Sequence, residues 1–376
     1  MMNKDINEIL DIMKTIQDCI IEYLDNDNSC DVDAFQEILD NIDNFQIHDD
    51  FDMIESFLRL LLKISNNHHH STDFFNKIEK ILLLFKNDFS NFTSFTLFNI
   101  VKSNKRILLF FIENKMITID ETIANILTSS KYLRRNYHLY FLPELKPIID
   151  NQSFEKYFNC IDDYYNIKDL DSEDFKEKRK EGENDSYICQ LIQKDSVEEF
   201  ITYYTKQNIS SSQKIPDSLF ETNLFLLENK PILIEYAAFF GAIQIFRFLQ
   251  YDDSNLNPKL WHYAIHSNNP ELIHKMEELH IDPMNEQYTN CVIESIKCFH
   301  NDFANYFIEH YIDQNENYID ESKYLKYNNF YYITEKTISR KFFIELCKYD
   351  YLKFVKLLLS NDIDIALETI SKNKSL

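Results

Sequence analysis

The chain has 376 residues and a formal net charge of −23, because 62 acidic residues outnumber 39 lysines and arginines. Its only glycines are Gly182 and Gly241, so it contains neither a dinucleotide-binding G-x-G-x-x-G motif nor a Walker A loop. The scarcity of glycine also disfavours all-β folds, which need glycine-rich turns. The negative charge argues against binding to nucleic acids or to anionic membrane surfaces.

The 7 cysteines are scattered and form no C-x-x-C motif, which is typical of a protein in a reducing compartment. Charged residues, among them Lys4, Asp5, Glu8, Asp11 and Lys14, interrupt the first 20 residues, so we expect no signal peptide. Apolar runs reach only about six residues, whereas a membrane-spanning helix needs about 20. These features together predict a soluble, cytoplasmic protein.

Helical periodicity dominates the first part of the chain. Apolar residues between Ile6 and Leu24 recur every three or four positions, which is the spacing of one helix face. The same pattern repeats over residues 51–64, 74–85, 95–101 and 106–112. We therefore predict an irregular array of seven or eight helices in residues 1–165.

A highly charged stretch, residues 162–185, contains few large apolar side chains. Such a composition is typical of a solvated linker or an exposed helix, and an acidic docking segment is the alternative. We therefore expect a charged linker at 166–185, followed by a second domain at 186–376.

The second domain contains an internal repeat. Five segments share an apolar first helix, a turn and an apolar second helix, and the middle ones lie about 30 residues apart. One position in the first helix holds a small residue in the middle segments (Ala237, Ala264 and Ser295), and Leu191 and Leu346 replace it in the outer ones. Four of the five segments carry a turn-forming residue four positions later, namely Asp195, Gly241, Asn268 and Asp350.

These motifs resemble the ankyrin repeat. The clearest matches are Ala237-Ala238-x-x-Gly241, Trp261-His262-x-Ala264 and residues 355–359, followed by the aspartates of 362–365; residues 106–120 are similar to the second half of a repeat. Residues 235–312 are closer still to an ankyrin-like domain of unknown function in protist protein families, in which the stretches at 235–241, 263–269 and 294–298 recur. The resemblance implies an all-α solenoid of stacked antiparallel helix pairs.

The resemblance also implies a function. Ankyrin arrays bind other proteins, so we expect a non-catalytic scaffold or adaptor without cofactors, whose partners have basic surfaces because of the net charge. The implied contact positions are Phe239, Phe240, His266, Ser267, Lys297, Lys348 and Tyr349, although Phe239 and Phe240 also suit a core. The implied structural positions are Ala237, Gly241, His262, Ala264, Asn268, Ser295 and Asp350, with His262 in a structural hydrogen bond between turns.

Other chemistry has weaker support in the sequence. His262 and His266 have the spacing of a helical metal pair, but no third ligand is evident, and residues 68–70 (three histidines) fit an exposed loop. No catalytic or metal-binding residue is predicted. The aromatic segment within residues 319–340 fits either core packing or a binding loop. An enzyme or ligand-binding domain in residues 1–165 is the alternative function, which a deep pocket there would favour.

Overall fold

The structure is a computed structural model that describes residues 5–26, 32–69, 73–129, 135–251, 256–284, 287–312 and 322–361. Regular secondary structure in these ranges is helical, apart from one antiparallel bridge between Lys214 and Ile232. The all-α prediction is therefore confirmed. The expectations for His70, residues 319–321 and residues 362–365 fall outside the described residues.

The described helices are numbered in chain order. They are α1 (Ile6–Asp25), α2 (Val32–Asn44), α3 (Phe51–Asn67), α4 (Phe74–Leu84), α5 (Ser94–Val101), α6 (Lys105–Glu113), α7 (Glu121–Leu127), α8 (Tyr137–Tyr140), α9 (Leu142–Leu145), α10 (Asn151–Tyr165), α11 (Glu173–Glu181), α12 (Tyr187–Gln193), α13 (Val197–Lys206), α14 (Leu224–Asn229), α15 (Leu233–Phe239), α16 (Ile243–Leu249), α17 (Leu260–His266), α18 (Pro270–Glu278), α19 (Tyr288–Lys297), α20 (Asn301–Tyr311), α21 (Ser322–Tyr327), α22 (Phe343–Lys348) and α23 (Leu352–Asn361). Among these described helices, none combines the length and the apolar character required to cross a bilayer.

The chain forms two compact units. The central unit comprises Phe89–Gln287, and the terminal unit combines Met1–Asp88 with Tyr288–Leu376. These boundaries differ from the division expected around residues 166–185. In the structure that charged segment contains α11, which belongs to the central unit and buries Phe175 and Arg179.

In the terminal unit, segments from both ends of the chain pack together. Helix α1 contacts α2 and α4, and α3 contacts both α4 and α23. The fully buried Gln17 donates a hydrogen bond to Asn329 (3.1 Å) and accepts one from the backbone N–H of Phe330 (2.7 Å). Phe330 itself is buried, so this part of the aromatic segment packs into the core. Because buried polar groups need partners, these bonds fix how the two segments pair.

The histidines after α3 differ from the sequence expectation of an exposed loop. His68 is only 2% exposed, so that expectation is wrong for this residue. Its Nδ1 hydrogen-bonds the carbonyl oxygen of Cys298 at 2.9 Å, and this contact with a distant segment holds the ring inside the terminal unit.

All five predicted helix–turn–helix segments form helix pairs, which we call pairs A to E. They are A (α12–α13), B (α15–α16), C (α17–α18), D (α19–α20) and E (α22–α23). Each turn contains one residue in the left-handed region: Asp195 (φ 47°), Gly241 (68°), Asn268 (53°), Phe299 (63°) and Asp350 (61°). The four residues predicted at turns therefore all lie in the left-handed region, and pair D uses Phe299, which carries no turn signal in the sequence.

A backbone hydrogen bond closes four of these turns. The residue after the left-handed position donates its N–H to the carbonyl of the small-residue position of the first helix or its equivalent, as in Ala242 to Ala237 (2.9 Å) and His300 to Ser295 (3.0 Å). This is the Schellman arrangement, which satisfies a carbonyl that the helix end leaves unpaired. The side chains at the five predicted positions are all buried, which allows the two helices of a pair to approach closely.

Pairs A, B and C lie side by side in the central unit. Their first helices, α12, α15 and α17, contact one another in order, and the second helices α13 and α16 also touch. Their turns are joined as well. The Asp195 carboxylate accepts the N–H groups of Gln244 and Ile245 (both 3.0 Å), and the Asn269 amide donates to the Gly241 carbonyl (3.4 Å). Equivalent turns of neighbouring pairs therefore lie adjacent.

The turn of pair B gives a direct test of this geometry. A Cβ at Gly241 would meet neighbouring atoms only at 3.6–3.7 Å, so the cost of Gly241→Ala comes from the left-handed backbone. We expect this variant to lose about 1–2 kcal/mol of unfolding free energy in chemical denaturation. Gly241→Asn should lose less, because asparagine tolerates this conformation and occupies the same position in pair C. Equal stability of Gly241→Ala and wild type would contradict the assigned turn.

Candidate functional site

Carboxylates surround the aligned turns of the central unit. Helix α13 begins with the exposed Glu198 and Glu199, and α18 begins with the exposed Glu271. The start of α16 is covered by the carboxylate of Asp195 from pair A. Negative charge is favoured at a helix N-terminus, so the turns can carry these acids without loss of stability. We call Glu198, Glu199 and Glu271 the acidic turn surface.

Two of the implied contact residues are buried. His266 is 1% exposed, and its ring stacks against Phe225 with ring centroids 4.1 Å apart. Phe239 lies on the same stack, 5.3 Å from the His266 ring. Helix α14, which supplies Phe225, therefore covers the positions that the resemblance assigned to a partner. Phe239 and His266 belong to the core of the central unit.

The remaining implied contact residues are partly or fully accessible. Phe240 and Ser267 are half-buried, and the Ser267 hydroxyl donates to the Ala264 carbonyl (2.7 Å), so it helps to shape the turn of pair C. His262 is also half-buried, and its implied hydrogen bond between turns stays a prediction.

In the terminal unit, the half-buried Lys297 forms an ion pair with Glu294 (2.7 Å). Lys348 is exposed, and its ammonium lies 5.1 Å from the ring centre of the half-buried Tyr349. These two residues are therefore available to a partner at the turn of pair E. The turn residue Asp350 is itself held by an ion pair with Arg59 (2.9 Å).

The central unit also contains an open cavity of about 670 Å³, which the sequence analysis did not predict. Polar residues dominate its wall, including Arg135, Tyr165, Asn184, Asp217, Glu221 and Lys230. Two ion pairs lie along the wall, Arg135 with Glu228 (2.5 Å) and Lys230 with Asp217 (3.1 Å). Because these residues lie far apart in the chain, no local motif marks the cavity.

Glu221 is the buried acid of this cavity. Its Oε1 accepts the backbone N–H of Asn223 (2.7 Å), whereas its Oε2 has no hydrogen-bond partner among the described residues. Burial raises the pKa of Glu221 to about 8. Behind it, the Lys105 ammonium donates to the Glu221 backbone carbonyl (2.8 Å), and burial lowers the pKa of Lys105 to about 7. Groups that titrate near neutrality in a cavity are typical of functional sites.

Comparison of the chain with models of protein families, with curated proteins and with solved structures finds no match. The likeness to ankyrin repeats therefore depends on the motif residues and on the helix pairs described above. The acidic turn surface and the cavity are two features of the central unit that could bind another molecule.

The raised pKa of Glu221 predicts a pH dependence of stability. The folded pKa of about 8 exceeds the ordinary value of 4.5, so the folded protein holds this proton more tightly than the unfolded chain does. The resulting destabilisation begins above the ordinary pKa and grows as the pH rises towards the folded value. Glu221→Gln removes this effect. We expect the difference in unfolding free energy between this variant and wild type to grow in favour of the variant as the pH rises from the ordinary pKa to the folded pKa. The growth should be up to about 1.4 kcal/mol per pH unit.

Chemical denaturation at a series of pH values measures this difference. Glu228→Gln is the control, because Glu228 lies at the same cavity but is exposed. The stability of this variant should have the same pH dependence as that of wild type. A parallel pH profile for Glu221→Gln and wild type would contradict the raised pKa.

Proposed function

We propose that the chain is a non-catalytic protein–protein interaction module, a scaffold or adaptor, built on stacked ankyrin-like helix pairs. The observation that supports this most strongly is the alignment of pairs A, B and C, whose turns occur in one register and bond to one another. A stack of helix pairs offers a long binding surface without needing a pocket. The Ala237-Ala238-x-x-Gly241 match to the ankyrin repeat lies at the centre of this stack.

The partner proposed here is a protein with a basic surface. The net charge of −23 gives the chain a negative field, and the acidic turn surface places three carboxylates at the turns of pairs A and C. Opposite charges accelerate association and make it sensitive to salt. The cytoplasm is the proposed location, because buried free thiols such as Cys189, Cys291 and Cys298 suit a reducing compartment.

Charge reversal on the acidic turn surface tests this function. Full-length protein carrying Glu198→Lys, Glu199→Lys and Glu271→Lys serves as bait in native lysate beside wild type, and bound proteins are quantified. The matched control carries Glu8→Lys, Glu121→Lys and Glu173→Lys, since these exposed acids also lie in the first turns of helices. Both variants change the net charge equally and remove similar helix-end stabilisation, about 0.3–1 kcal/mol per residue.

We expect the variant of the acidic turn surface to lose a partner that wild type and control retain. The affinity of that partner for wild type should fall as salt is added. If both variants recovered equal amounts of that partner, or if its affinity for wild type did not change with salt, this surface would not be the contact site.

A second candidate function is the binding of a small polar ligand in the central cavity, and the Oε2 of Glu221, which has no hydrogen-bond partner in the described part of the chain, favours it. A thermal-shift screen of polar metabolites should then find compounds that stabilise wild type and not Glu221→Gln, since a ligand stabilises only the state that binds it. Compounds that shift both proteins equally would exclude Glu221 as the ligand-binding group.

A further inference from the structure

Three histidines and one aspartate converge in the terminal unit. Asp25 is the last residue of α1, His68 and His69 directly follow α3, and His300 immediately precedes α20. The ring centroids of the three histidines lie 4.4–5.3 Å from one another. The cluster therefore joins three elements that are distant in the chain.

The nitrogen and oxygen atoms of this cluster face each other. His68 Nε2 lies 2.6 Å from Asp25 Oδ1, and His69 Nε2 lies 3.5 Å from the same oxygen. His69 Nδ1 lies 3.2 Å from His300 Nε2. The three histidines can each direct one nitrogen to a common point, since these atoms all lie within 4.8 Å of one another.

The surroundings hold these side chains in place. Because a carbonyl oxygen can only accept, His68 Nδ1 donates its proton to Cys298 and leaves Nε2 facing the cluster. Such a backbone hydrogen bond is the usual support of a metal-binding histidine. Beside Asp25, the Lys77 ammonium donates to the carbonyls of Tyr23 (2.8 Å) and Asn26, which fixes the end of α1.

His300 is positioned by the turn of pair D. Its backbone N–H closes the turn on the Ser295 carbonyl (3.0 Å), directly after the left-handed Phe299. His68 and His300 are both buried, while His69 and Asp25 are partly exposed, which leaves a route for an ion to enter.

The donor set matches the chemistry of zinc. Imidazole nitrogens and a carboxylate oxygen are ordinary zinc ligands, and tetrahedral Zn²⁺ with bonds of about 2.0–2.2 Å places ligand atoms roughly 3.3–3.5 Å apart. One imidazole ring can give only one nitrogen to a single ion, so His69 would bind through Nδ1, which lies 3.2 Å from His300 Nε2, or through Nε2, which lies 3.5 Å from Asp25 Oδ1; either distance is close to this spacing. The contact between His68 Nε2 and Asp25 Oδ1 (2.6 Å) would have to lengthen by less than about 1 Å, and Asp25 would have to move towards the point shared by the three histidine nitrogens to become the fourth ligand.

We propose that Asp25, His68, His69 and His300 form a structural zinc site that cross-links α1, α3 and pair D within the terminal unit. Four protein ligands complete a tetrahedral shell and leave no open position for a substrate, as in structural zinc sites. The ion would tie the N-terminal helices to a C-terminal helix pair of the same unit.

The test uses full-length protein without a histidine tag, stripped with a chelator and dialysed against zinc chloride. We expect about one zinc ion per chain by elemental analysis and a higher unfolding temperature in the presence of zinc. His300→Gln should lose both effects. The control is His274→Gln, because His274 is an exposed histidine paired with Glu277, and this variant should keep both effects.

Two further measurements cover the case in which His300→Gln fails to fold. Asp25→Asn keeps the size of the side chain and should weaken zinc binding by at least the roughly 10–100-fold that follows the loss of a supporting group. Cobalt added to the stripped wild type should give the intense visible absorption of tetrahedral Co²⁺. Folded wild type that binds no zinc, cobalt spectra of six-coordinate type, or full zinc occupancy in folded His300→Gln would overturn the proposal.

Discussion

The helix pairs depend on one feature of the backbone: in each pair the chain reverses direction at a residue with positive φ. A helix end leaves carbonyl groups unpaired, and the left-handed residue lets the next N–H return to one of them. In pair B this bond joins Ala242 to Ala237, and in pair D it joins His300 to Ser295. The same geometry brings the first and second helices together over a small or apolar side chain.

The turns also determine where functional groups lie. In the central unit, the Asp195 side chain satisfies two N–H groups at the start of α16, and Asn269 reaches back to Gly241. Neighbouring pairs are thereby held in register, and the acids that begin α13 and α18 follow the turns of pairs A and C. In the terminal unit, the turn of pair D places His300 beside His68 and His69. The same type of turn therefore positions both the acidic turn surface of the central unit and the histidine cluster of the terminal unit.

Buried polar groups connect segments that the sequence keeps far apart. The buried Gln17 bonds to Asn329 and Phe330, and the half-buried Lys353 pairs with the half-buried Asp50 (2.5 Å). Such groups are costly when unpaired, so they specify one arrangement of the two segments more strictly than apolar contacts do. Glu221 in the central unit keeps one oxygen without a partner among the residues that the structure describes, which is the reason that its cavity is of functional interest.

The sequence by itself determined the helices and most of the turns, because apolar periodicity and residues such as Gly241, Asn268 and Asp350 act within a few positions of the chain. It did not reveal the turn at Phe299, since phenylalanine has no preference for positive φ. Only the tertiary structure placed His266 beneath Phe225, gathered the cavity around Glu221 and brought His300 to His68. The burial of a side chain and its place in a cluster depend on contacts between distant segments, and the local sequence pattern does not contain this information.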